Sequence, residues 1–141
     1  MFMGQYNHTI DSKGRIIVPS KVRDQLGEGF IVTRGLDGCL FIYPALEWQN
    51  IIQKYKELPD TKNRRHFMRI FLSGATTCEY DKQGRINIPG PLVDYAKLEK
   101  DCIIIGVDER LEVWSKERWE NFINQNEENL SDIADDLFAT I

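Results

Sequence analysis

Two nine-residue stretches carry the chain's most distinctive chemistry. They are Asp11-Ser12-Lys13-Gly14-Arg15-Ile16-Ile17-Val18-Pro19 and, 70 positions on, Asp81-Lys82-Gln83-Gly84-Arg85-Ile86-Asn87-Ile88-Pro89. Each sets a carboxylate four residues before a guanidinium. Three readings follow. A planar guanidinium can reach guanine O6 and N7 or a phosphate, with Lys13, Lys21 and Arg23 close in sequence to supply phosphate contacts. Two Asp-bearing turns could instead share one proton, as the paired carboxylates of aspartic proteases do. Third, each Asp could pair with its own Arg and staple the turn. Exposed ion pairs contribute little to stability, so stapling alone is a weak reason to spend both charges twice. The shared proton is disfavoured because Arg15 and Arg85, with Lys13 nearby, favour two ionised carboxylates. Among motifs, the sequence has no Gly-rich phosphate loop, no His pair at metal spacing and no Cys–His set. We therefore expect no catalysis, metal, cofactor or small-molecule substrate.

The elements that must hold these residues are hairpins. Asp11 can accept a bond from the backbone N–H two residues on. Ser12 and Lys13 suit a type I turn, and Gly14 supplies the left-handed residue of a G1 bulge. Arg15 then opens the returning strand, which Pro19 closes. The second copy repeats this with Asp81, Lys82, Gln83, Gly84 and Arg85. The repeat extends further: Gly35/Gly106, Asp37/Asp108, Leu40/Leu111, Tyr43/Trp114 and Trp48/Trp119 agree at an offset of 71. A duplicated unit settles the architecture before any single element does.

The full chain has 141 residues and 42% apolar content, enough for one domain or two very small ones. The net charge of −4 hides an asymmetry. Residues 1–98 hold 14 Lys and Arg against 10 Asp and Glu, a net +4; residues 99–141 hold 4 against 12, a net −8. A mildly basic body with an acidic tail can still grip phosphates. Cys39, Cys78 and Cys102 are odd in number and widely spaced, so a reducing cytoplasm and core roles for the thiols are expected. No membrane span or signal peptide is expected.

In order, residues 5–10 read as a strand with Tyr6, His8 and Ile10 on one face. His8 is either structural or a ligand or base, and the structural role is the commoner for a lone strand histidine. Ser20 caps a short helix over 21–26, with Val22 and Leu26 inward and Gly27 as its stop. Strands cover 30–33 and 39–43, the latter apolar on both faces. Pro44 opens a helix bearing Trp48, Ile51, Ile52 and Tyr55. Asp60 caps a second helix over 61–72, with Phe67, Ile70 and Phe71 inward and Arg64 and Arg65 solvated. The second half replays the first: strands at 76–80, 85–88, 102–107 and 111–114, a short helix over 91–97, and a helix capped by Ser115. Residues 131–138 form one more short helix. Two half-sized β units, each too small to bury its strands alone, should pair about a pseudo-two-fold axis into a barrel-like core. The domains read as 1–73, 74–125 and an acidic tail, 126–141. That tail either solvates the chain or screens its basic surface from random DNA.

The pattern D-x-x-G-R-I-x-[VI]-P resembles the DNA-binding hairpin of AbrB-type (SpoVT–AbrB) swapped-hairpin regulators. Two copies, together with Met1-Phe2, His8-Thr9-Ile10-Asp11, Gly35-Leu36-Asp37-Gly38-Cys39-Leu40, Tyr43-Pro44, Arg69, Phe71 and Ser73-Gly74-Ala75, resemble the MraZ family over about residues 1–120. The resemblance implies an α+β fold, a pseudo-two-fold duplicated swapped-hairpin domain forming a double-split β-barrel with peripheral helices. It implies a cytoplasmic, nucleoid-associated transcription regulator acting on short direct repeats in the promoter of the division and cell-wall gene cluster. It implies homo-oligomeric rings of eight or more subunits on double-stranded DNA. The implied DNA-binding residues are Asp11 and Arg15, then Asp81 and Arg85, with Lys13, Lys21, Arg23 and Lys82 beside them. Antitoxin relatives of this fold keep a protein-binding ring open as the alternative.

Overall fold

The computed structural model describes residues 1–139. The first half lays down β1 (Gln5–Thr9), β2 (Arg15–Ile17), α1 (Ser20–Leu26), β3 (Ile31–Arg34), β4 (Leu40–Tyr43), α2 (Ala45–Lys56) and α3 (Lys62–Ser73). The second half lays down β5 (Thr76–Thr77), β6 (Arg85–Asn87), α4 (Gly90–Tyr95), β7 (Asp101–Val107), β8 (Arg110–Ser115) and α5 (Lys116–Asn126). A 3-10 turn over Glu127–Asn129 then leads to α6 (Leu130–Phe138). The class is mixed α+β with antiparallel sheets.

The strand order shows how the duplication is used. The larger sheet runs β1-β7-β8-β4-β3-β5 and the smaller pairs β2 with β6. Exchanging each strand for its counterpart (β1 for β5, β2 for β6, β3 for β7, β4 for β8) returns the same order reversed. Every partnership outside the β3–β4 and β7–β8 hairpins therefore crosses between halves: β1 with β7, β5 with β3, β4 with β8, β2 with β6. The turn after β1 makes a single local bridge, Ile10 to Ile16, before its arms part to different sheets.

Strand alternation divides the larger sheet into two apolar faces. Val32, Leu40, Ile42, Cys102, Ile104, Leu111 and Val113 point to one core, closed by Ile16 and Ile86 of the small sheet and by Val22, Leu26 and Leu92 of α1 and α4. Phe41, Tyr43, Ile103 and Trp114 point to the other, covered by Trp48, Ile51, Tyr55, Phe67, Phe71 and Trp119 of the longer helices. Both faces of β4 are buried, as its unbroken apolar run requires. The thiols of Cys39, Cys78 and Cys102 are free and buried. Burial pushes those of Cys78 and Cys102 up to about 11, and Cys39 higher.

Several local expectations shift. Pro19, not Ser20, precedes α1, whose first turn has no side-chain cap. Thr61 rather than Asp60 caps α3, its hydroxyl accepting from the Arg64 N–H, and Asp60 instead pairs with Arg65 at 3.1 Å. Ile70 is exposed, because Thr33 and Arg34 already bond the Phe71 and Ile70 carbonyls and fix the helix with Phe71 inward. Arg64 is not a free solvated charge: it donates to the Tyr55 and Lys56 carbonyls and ties α3 to the end of α2. The strand expected over 76–80 shortens to Thr76–Thr77. Among the described residues no helix is long and apolar enough to cross a membrane.

Candidate nucleic-acid interface

The two turns have the same hydrogen bonding. Asp11 Oδ1 accepts from the backbone N–H groups of Lys13 and Arg15, both at 2.9 Å, and Oδ2 accepts from Arg15 Nε at 2.7 Å. Asp81 Oδ1 accepts from the N–H groups of Gln83 at 2.8 Å and Arg85 at 2.9 Å, and Oδ2 from Arg85 Nε at 2.8 Å. Gly14 and Gly84 close the turns at φ of 80° and 76°, a left-handed region where a side chain is strained. The Arg15 backbone N–H, more than any other group, holds the Asp11 carboxyl below its usual range, and the Arg85 N–H does the same for Asp81. Each carboxylate is satisfied within its own turn and held below its usual range, which favours two ionised groups over a pair sharing one proton. Each arginine spends Nε on its Asp, so the turn fixes the guanidinium through one edge. Neither Nη group bonds another described residue.

Pairing of β2 with β6 brings the turns together. Arg15 faces Asn87, Ile16 faces Ile86 and Ile17 faces Arg85. The ladder continues into both tips through Ile88 N–H to the Gly14 carbonyl at 2.8 Å and Val18 N–H to the Gly84 carbonyl at 3.2 Å. Residues opposite one another in an antiparallel pair share a face. Ile16 and Ile86, each 1% exposed, point into the core. Arg15, Ile17, Arg85 and Asn87 therefore all point the other way, and the two arginines sit diagonally across a short ribbon. Their side chains are 34% and 27% exposed.

Lys13 and Lys82 are exposed on the two turns, and Lys21 is exposed on the first turn of α1. Arg23 does not join the first tip, despite its nearness in sequence. Its Nε donates to the Val18 carbonyl at 3.0 Å, and its guanidinium lies over Gly84, against the second tip. Sequence reasoning passed over Ile17 and Asn87 as members of this face. Strand alternation was the available signal, since both stand two residues after the loop arginines. His8 sits half-buried in β1 opposite Cys102, and burial lowers its pKa, as suits a structural histidine. Among the described residues no group of three or more His, Cys, Asp or Glu could hold a metal ion.

A family model described as "MraZ protein, putative antitoxin-like" matches this chain twice, over residues 1–70 and 71–141. Curated relatives match nearly end to end. A protein of Limosilactobacillus reuteri named "Transcriptional regulator MraZ" is 59% identical over 138 residues, 97% of each chain. Proteins with the same name from Lachnoclostridium phytofermentans and Ligilactobacillus salivarius are each 56% identical, covering 97% of this chain and 95% and 96% of their own.

Proposed function

The chain belongs to the MraZ family, and from that premise we propose that it is a transcriptional regulator binding double-stranded DNA through the outward face of β2 and β6. The observation that carries this reading is the pair of arginines on one exposed ribbon face, each fixed by an Asp in its own turn. A two-stranded ribbon fits the major groove, where Arg is well matched to guanine O6 and N7. Lys13 and Lys82 flank the face and contact phosphates; Lys21 and Arg23 add positive charge around it. Asp11 and Asp81 orient the arginines and do not themselves touch DNA.

One ribbon grips only a few base pairs. The proposed assembly is a homo-oligomeric ring of eight or more subunits that meets several direct repeats at once. Tethering of that kind raises avidity by roughly 10²–10⁴ without new contacts. The proposed target is the promoter of the division and cell-wall gene cluster, and the proposed location the cytoplasm, at the nucleoid. In this reading the two sheets are the parts of a swapped-hairpin, double-split barrel. The protein performs no catalysis and takes no cofactor or small-molecule substrate. The domains divide after residue 73, and an acidic tail begins at 126.

The test is a mobility-shift assay on DNA upstream of the protein's own gene, with Arg15→Ala and Arg85→Ala made separately. Arg15→Ala is expected to fold and to lose affinity. Undiminished affinity in a folded variant contradicts the assignment. The family description also names an antitoxin-like character, which favours a protein-binding ring as the second reading. Salt separates them: DNA affinity falls log-linearly with salt concentration, and an apolar protein interface does not behave so.

A further inference from the structure

We propose that the two tips of the β2–β6 ribbon read different bases: Asn87, beside Arg15, recognises an adenine, while Ile17, beside Arg85, packs on a thymine methyl. This rests on the DNA-binding reading above and makes it specific. The register sets the four outward side chains in a block, Arg15 opposite Asn87 and Ile17 opposite Arg85. The pseudo-two-fold exchanges Arg15 with Arg85 and Ile16 with Ile86, so those positions are chemically equal. It also exchanges Ile17 with Asn87, and there alone in the paired strands the two halves differ.

The surroundings of the tips sharpen the difference. Asn87 Oδ1 lies 3.2 Å from where a Cβ on Gly14 would stand, so the amide lies beside the first tip. At the second tip the corresponding space over Gly84 holds the Arg23 guanidinium, and the residue 70 positions after Arg23 is Val93. The first tip thus offers a guanidinium and an amide; the second offers two guanidinia and an aliphatic side chain. An amide carries a donor and an acceptor together, the combination that adenine N6 and N7 require and a guanidinium lacks. Ile17 is 42% exposed on an otherwise polar face, and its methyl groups suit the C5-methyl of thymine. A ribbon that held phosphates alone would need neither group. The consequence is polarity: a chain with a near-symmetric scaffold reads an unsymmetrical site, so each site has a direction.

The experiment selects bound duplexes from a random-sequence pool, using the full-length native protein, Asn87→Ile and Ile17→Asn, with Arg15→Ala as control. Circular dichroism confirms folding of each. Asn87→Ile is expected to lose preference for one A·T position by roughly 5–150-fold. Ile17→Asn is expected to exchange a thymine preference for an adenine preference at the position related by the pseudo-two-fold. The inference is overturned if folded Asn87→Ile selects the native motif unchanged. Should Asn87→Ile fail to fold, Ile17→Asn decides in the same way, an unaltered motif counting against it. If Arg15→Ala holds DNA as the native protein does, the DNA reading itself fails and this inference falls with it.

Discussion

A guanidinium tethered by Nε is aimed without being neutralised at its other edge, and that distinction yields a sharp expectation for Asp11. Counting charge alone, Asp11→Ala removes a negative charge from a DNA-facing surface and should tighten binding. The geometry gives the opposite sign: Asp11 orders the turn through two N–H groups and orients Arg15, so Asp11→Ala is expected to weaken sequence-specific binding. Fluorescence anisotropy on specific and random duplexes checks this. A second expectation concerns acid. Asp11 and Asp81 are held below the usual carboxylate range in the fold. Their unfolded forms bind protons at higher pH, so their contribution is fully present above the ordinary range of about 3.9 and is lost as pH falls through the folded values. Carboxyl NMR titration should find both shifted down, and Asp11 moving only part of the way back in Arg15→Ala, which removes the guanidinium but keeps the backbone N–H groups that hold the carboxylate most. The turn chemistry was legible in the sequence because it is local, spanning five residues. Arg23 was not, because its neighbour over Gly84 lies 61 positions away in the chain.

Elements here are set by one or two decisive interactions each. A Cβ on Gly14 would stand 2.5 Å from the Ile88 carbonyl oxygen, at a φ of 80°. Gly14→Ala is therefore expected to destabilise by about 1–3 kcal/mol and to disturb the ladder between the halves, read by denaturant unfolding. Phe71 anchors α3, stacked on Trp48 at 5.4 Å between ring centroids and on Phe67 at 5.0 Å. Phe71→Ala should cost about 3–5 kcal/mol by the same measurement while leaving the ribbon face intact. Periodicity located these helices, Phe71 among them, but misjudged their rims. Ile70 matched the helical period yet faces solvent, because the hydrogen bonds from Thr33 and Arg34 set the rotation of α3, and no periodicity encodes those. Thr61 rather than Asp60 is the cap because α3 begins at Lys62, which leaves Asp60 one position too early and free to pair with Arg65.

At the scale of the molecule, the cross-pairing of halves is the governing feature. The duplication was legible from the matched offsets, and so was the need for the halves to pair. Which strand pairs with which was not, because β1 meets β7 nearly a hundred residues away and alternation is blind to partners. Neither half owns a complete sheet, so residues 1–73 alone are not expected to fold as a monomer. Sedimentation with circular dichroism should show an unfolded chain or a dimer supplying the missing strands, and a folded monomer would contradict the topology. The same pairing sets Arg15 and Arg85 on one face, and the whole functional account depends on that. The most direct measurement is a salt titration of binding to DNA upstream of the gene by native protein and by the Arg15→Ala/Arg85→Ala double variant. The expected result is a folded variant whose affinity for this DNA collapses at every salt concentration while its log–log salt slope stays close to native, because the phosphate-contacting lysines remain. A folded double variant with native affinity across the titration would contradict the account.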